Sequence, residues 1–129
     1  DLGSGSGWTT ALLGMLVGGR GRVIGVERHR ELLDSAIIAC DGLGIESIEF
    51  AEAVAGTLGL PERAPFDRIL VSAEAAELPS SLVEQLRVGG VMVIPVSGEM
   101  LRVERTGEAA EDVSITRHGR YRFVPLIEE

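Results

Sequence analysis

The chain has 129 residues with 12 basic and 20 acidic side chains, a formal net charge of −8, so it offers no overall positive field to attract a polyanion such as nucleic acid. Apolar residues make up 45% and charged residues 25%, which fits a single globular domain with a real core and excludes a disordered chain. All the basic residues are arginine, which excludes a Schiff-base or phosphate-loop lysine, and one Cys with two distant His excludes a Cys/His zinc site and a disulfide framework.

In chain order, apolar runs alternate with helical stretches, the pattern of βαβ units around a parallel sheet. Trp8–Val17 has helical spacing and stops at Gly18-Gly19. Residues 23–26 form a short buried strand that ends at Glu27. Residues 30–43 place Leu32, Leu33, Ala36, Ile37, Cys40 and Leu43 on one helical stripe that stops near Gly44. A weaker strand follows at 47–51, then a Gly/Pro-rich loop, then a buried strand over 66–73. Pro79 suits the first turn of a helix running to Val88, with Gly89-Gly90 as its stop. Residues 91–96 read as another buried strand, far too short to span a bilayer. Beyond Gly98 the alternation at 101–106 and 113–117, and a further strand at 121–126, predict antiparallel ribbons at a sheet edge. His118 is expected at a hairpin tip. The fold expected is α/β: a Rossmann-like doubly wound sheet, mostly parallel, with an antiparallel C-terminal edge, in one domain over 1–129.

The stretch Asp1 to Trp8, DLGSGSGW, is the chemically informative one. A glycine-rich turn between strand and helix lets a ligand approach the backbone beside the helix N-terminus. The dinucleotide fingerprint requires a third glycine where this chain has Trp8, so the spacing is G-x-G-x-G and no pyrophosphate is implied. Glu27, twenty residues after Gly7, is placed to accept both hydroxyls of a ribose. The loop alone is a weak signal, and a tight turn with a solvated Glu is the bland alternative.

Together these features resemble the class I S-adenosylmethionine-dependent methyltransferases. Three further segments, GLPERAPFDRILVSA (59–73), LPSSLVEQLRVGGVMVIPV (78–96) and RFVPL (122–126), resemble protein-L-isoaspartate O-methyltransferases in order and spacing. The likeness covers nearly the whole chain and is broken mainly over 98–119. It implies methyl transfer from S-adenosyl-L-methionine to the free carboxylate of L-isoaspartyl residues, a protein-repair reaction with no metal. It implies that Asp1, Gly3, Ser4, Gly5 and Gly7 line the methionine and ribose part of the cofactor. Glu27, with Arg28 beside it, takes the ribose, and Ala55 and Gly56 meet the adenine. Independently of the resemblance, Ser72 lies at the C-terminal end of its strand, facing the crevice where such sheets bind ligands, and is the one substrate-side candidate. Family members carry a helical region and the first, central strand ahead of the glycine loop, so the chain is expected to enter at the end of that strand, most of which is missing.

Two departures matter. Val54-Ala55-Gly56 stands where the family has Gly-Asp-Gly, so the adenine loses a side-chain acceptor, with Glu52 nearby. Glu74-Ala75-Ala76 replaces small residues followed by Pro, which puts a carboxylate beside a site for an anionic acceptor. The alternatives are a methyltransferase with another acceptor, such as a tRNA base or small molecule, and a non-catalytic module. Expected partners are isoaspartyl peptides and proteins, not nucleic acid or membrane, and the protein is expected to be a cytoplasmic monomer. Trp8 is expected to pack under the loop, and Cys40 to be a buried structural thiol.

Overall fold

In the computed structural model, which describes residues 1–128, the chain divides into two units, Asp1–Val54 and Ala55–Glu129. In the first, β1 (Val23–Glu27) and β2 (Ile48–Glu52) pair in parallel, Val23 opposite Ile48 through to Glu27 opposite Glu52. Residues 1–3 extend this ladder along the other edge of β1. The Asp1 nitrogen donates to the Ile24 carbonyl (2.9 Å), Val26 N–H to Asp1 (2.8 Å) and Gly3 N–H to Val26 (2.9 Å).

Helix α1 (Trp8–Val17) presents Thr10, Ala11 and Gly14 as its buried side. A Cβ at Gly14 would overlap the Ile48 side chain, so this small-residue stripe is what lets the helix lie close to β2. The large residues Trp8, Leu12, Met15 and Leu16 consequently face outward. Trp8 is 71% exposed and does not pack under the loop as the sequence suggested. Helix α2 (Arg30–Asp41) buries Leu33, Ala36 and Cys40. Leu32, Ile37 and Leu43 of the expected stripe remain partly exposed, because a 3-4 spacing of small and medium side chains is all that the ribbon beneath covers.

The second unit is a four-stranded sheet in the order β3-β4-β5-β6: β3 (Phe66–Leu70), β4 (Leu86–Val96), β5 (Glu99–Arg105) and β6 (Val113–Arg120). β3 and β4 are parallel, and the two later pairs are antiparallel. Its core gathers Val71, Leu82, Val83, Leu86, Met92, Ile94, Leu101 and Val103, all at most 5% exposed. Each such side chain contributes about 1.5–3 kcal/mol of transfer free energy before conformational entropy is counted.

Helix α3 is only Ser80–Glu84, far shorter than the spacing predicted. Gln85 ends it: its buried side-chain amide donates to the Leu58 carbonyl (2.8 Å) and the Ser81 carbonyl (3.0 Å) and accepts from Leu60 N–H (2.9 Å). A buried amide satisfied this way fixes the chain leaving the helix, and Leu86 enters the sheet opposite Phe66. Gly89-Gly90 therefore lies inside β4, where residues 86–91 run past only 66–68 of β3, as a bulge.

Arg105 staples the turn at 106–112. Its guanidinium, nearly buried, donates to the carbonyls of Glu84 (3.0 Å), Leu86 (2.6 Å), Gly107 (3.0 Å) and Glu108 (2.6 Å). His118 falls within β6 and not at a hairpin tip, because the turn precedes that strand. The expected strand at 121–126 is reduced to one bridge. Glu74 N–H donates to Val124 (2.7 Å), and Leu126 N–H to Glu74 (2.8 Å). Pro125, between them, has no N–H with which to extend a ladder. Among the described residues no helix is long and apolar enough to cross a membrane.

Candidate functional site

The parallel ladder delivers residues 1–3 to the C-terminal end of β1, where the loop turns into α1. Gly3, Gly5 and Gly7 all have positive φ (79°, 53° and 82°), a conformation that costs L-residues with a side chain about 1–2 kcal/mol. Their surroundings differ. A Cβ on Gly5 would meet nothing within 4 Å, so the loop is open there. A Cβ on Gly7 would lie 3.0 Å from Ala36 Cβ and 3.1 Å from both Cys40 Sγ and Phe50 Cζ. Gly7 thus performs the helix-packing duty of the third glycine in the dinucleotide fingerprint, one position before Trp8.

Glu27 closes the loop from the end of β1. Only 5% exposed, it accepts Gly5 N–H at Oε2 (2.8 Å) and His29 N–H at Oε1 (2.9 Å). Each carboxylate oxygen has two acceptor positions, so one on each is left for a donor from a ligand. The carboxylate is held in orientation by backbone on both sides of it. The helix-side partner of Asp1 is Thr10, whose hydroxyl donates to Asp1 Oδ2 (2.6 Å) and which is fully buried.

Two buried polar atoms in this loop have no partner among the described residues: Asp1 Oδ1 and Ser4 Oγ. An unpaired buried polar atom costs about 1–3 kcal/mol, so two in one loop mark a place where a ligand's polar groups fit. The first unit therefore brings Asp1, Gly3, Ser4, Gly5 and Glu27 together, with Gly7 turned into the packing. Arg28 follows Glu27 and is exposed. Sequence reading missed Thr10 and the His29 N–H. The signal for Thr10 was a threonine among the small residues of an otherwise apolar helix.

Glu52, weighed as a stand-in for the missing adenine contact, is an ion-pair partner of Arg30 (3.0 Å), which also holds Asp34 (3.0 Å). Ala55, Gly56 and Ser72 belong to the second unit. Ala55 and Gly56 are exposed, and Gly56 N–H donates to the Glu128 carbonyl. Ser72 is half-buried two residues ahead of Glu74.

The family model for protein-L-isoaspartate(D-aspartate) O-methyltransferase matches residues 1–129. The protein-L-isoaspartate O-methyltransferase of Rhodospirillum rubrum is 45% identical over 99% of this chain, and that of Methanopyrus kandleri 44% over 100%. The chain spans 58% of the length of each of these relatives. A crystal structure from Plasmodium falciparum, described as a protein-L-isoaspartate O-methyltransferase in complex with S-adenosyl-L-homocysteine, superposes with a TM-score of 0.81 at 26% identity. It covers 100% of this chain and 65% of that one, which establishes the α/β methyltransferase fold. A glycine loop with two unpaired buried oxygens, a carboxylate clamped by backbone and a family match over the full chain stand together: the chain belongs to the protein-L-isoaspartate O-methyltransferase family.

Proposed function

We propose that the chain is the cofactor-binding part of an enzyme that methylates the free carboxylate of L-isoaspartyl residues with S-adenosyl-L-methionine. The observation that carries this is the cradle of Asp1, Ser4, Gly5 and Glu27, which leaves two buried polar atoms unpaired and two carboxylate positions open. Those residues fit a zwitterionic amino-acid tail and a ribose diol. Glu27 takes the diol, while Asp1 Oδ1 and Ser4 Oγ gain partners from the methionine part. Gly3 and Gly5 allow close approach of the backbone. Ala55 and Gly56 keep the adenine-side position that the family likeness implies, and Ser72 the acceptor-side role that its place at a strand end suggests.

The cofactor supplies an electrophilic methyl group on a sulfonium: a bond forms from carboxylate oxygen to methyl carbon as the carbon–sulfur bond breaks, its electron pair leaving on sulfur. An isoaspartyl carboxylate, which in water titrates near pH ~3.9, is ionised at neutral pH, so the chain need hold no general base. What remains for its residues is orientation and exclusion of water. Two opposite charges are neutralised in the transition state, which a dry site favours.

Titration calorimetry with S-adenosyl-L-homocysteine tests the binding half, and methyl transfer to an isoaspartyl peptide against its aspartyl isomer tests the chemistry. Heat of binding together with isoaspartyl-selective transfer is expected. A chain that binds no S-adenosyl-L-homocysteine would refute the reading.

A further inference from the structure

The protein's charge is unevenly distributed. Residues 113–127 contain Arg117, Arg120 and Arg122 and no acidic residue, so the other nine arginines face all twenty acids. This stretch comprises β6 and the segment after it. β6 is the last strand of its sheet, and its outer edge has no strand partner among the described residues. Its residues 114–120 are all exposed. Of the three cations, Arg117 pairs with Glu99 (2.8 Å). Glu99 also lies opposite Arg120 in the ladder, but its ion pair is made with Arg117. The guanidinium groups of Arg120 and Arg122 have no hydrogen-bond or ion-pair partner among the described residues, and between them Tyr121 is 53% exposed.

Two further facts give the patch a direction. After Arg122 the chain runs directly to Val124, whose carbonyl holds Glu74 N–H, two residues from Ser72. At about 3.3 Å per extended residue, Arg122 lies roughly 7 Å along the chain from Val124 and Arg120 roughly 13 Å. And Glu74 is itself an anion at the acceptor-side loop of a protein of net charge −8, so an anionic chain approaching that loop is repelled unless cations lie on its path.

We propose that the open edge of β6, with Arg120 and Arg122, is a docking edge for an extended acidic polypeptide, the class of chain the enzyme takes as acceptor. The proposal rests on the methyltransferase reading for that last clause only. An edge strand offers unpaired N–H and C=O groups, which an extended peptide can match with its own main chain while its carboxylates meet the arginines. A nucleic acid offers no such main-chain ladder, and the rest of the surface repels it.

The test is fluorescence anisotropy with three labelled peptides of one length in the S-adenosyl-L-homocysteine-loaded protein: glutamate-flanked, alanine-flanked and lysine-flanked around one central aspartate. The glutamate-flanked peptide should bind roughly five- to tenfold tighter than the alanine-flanked one at low salt, since exposed ion pairs are each modest. That preference should fade as ionic strength rises. R120A/R122A should abolish the preference, R120K/R122K should retain it, and R120E/R122E should transfer it to the lysine-flanked peptide, all with unchanged S-adenosyl-L-homocysteine affinity. A preference for acidic flanks that survives R120E/R122E overturns the proposal. So does its absence in the parent protein, or tighter binding of a single-stranded oligoribonucleotide than of the acidic peptide. Because these peptides contain no isoaspartate, the outcome is separate from that of the methyl-transfer assay, where failure counts against the function itself.

Discussion

Replacing Glu27 with Gln tests the ribose contact proposed for it. The wild-type carboxylate accepts Gly5 N–H at 2.8 Å and His29 N–H at 2.9 Å, from donors on opposite sides. An amide has one accepting oxygen, so Glu27→Gln turns an NH2 toward one of those donors in a site where the side chain is 5% exposed. Two consequences have separate sizes. The loop loses one charge-assisted bond and gains a facing pair of donors, a loss of about 1.5–3 kcal/mol in stability, visible as a lowered melting temperature. The ligand loses one acceptor for its diol, again about 1.5–3 kcal/mol, or roughly 10- to 150-fold in dissociation constant. A double-mutant cycle with S-adenosyl-L-homocysteine and its 2′,3′-dideoxy analogue, read by calorimetry, separates the two. The parent should strongly prefer the diol, and Glu27→Gln should lose most of that preference. If both ligands weaken by the same factor in Glu27→Gln, the effect is disorder of the loop and Glu27 does not hold the ribose.

Two other outcomes follow from the packing behind the loop. Gly7→Ala forces a Cβ to within 3.0 Å of Ala36 at φ 82°, so it should lower stability by about 2–4 kcal/mol on chemical denaturation, from overpacking plus backbone strain. Gly5→Ala, where a Cβ meets nothing, should lose only the backbone part. Burial pushes the Cys40 thiol above its ordinary value of 9.0. The folded state thus keeps its proton where the unfolded chain has released it. The stabilisation is complete below pH 9 and is lost as pH rises through the folded value, so urea midpoints should fall faster above pH 9 in the parent than in Cys40→Ala.

The sequence made the first unit legible because its elements are local. The glycine loop, the buried run ending at Glu27 and the period of α2 each lie within a dozen residues. What it did not show depends on partners far along the chain. Gln85 reads as an ordinary helix residue until Leu58 and Leu60, some 25 positions earlier, claim its amide and end α3 at Glu84. Gly89-Gly90 then looks like a helix stop although it is a bulge in β4. RFVPL has the composition of a strand, yet Pro125 and a single partner, Glu74, limit it to one bridge. In the site, spacing alone singled out Glu27 as the carboxylate beside the glycine loop. The clamp on it could not be read that way, because backbone donors such as His29 N–H carry no residue-type signature. Trp8 was misplaced since its neighbours Ala11 and Gly14, and not hydrophobicity, decide which side of α1 meets the sheet.

The segment after β6 is tied to the rest of its unit by main-chain bonds: Tyr121 to Gly98, Val124 and Leu126 to Glu74, and Glu128 to Gly56. Bonds of this kind exchange their amide protons only when the segment lifts away, so Glu74, Leu126 and Gly56 should report one shared opening in hydrogen exchange instead of three. The exposed arginines just upstream are the natural points of tryptic attack. A single cut after Arg122 would release that segment and free both loops at once, although it removes none of the buried core.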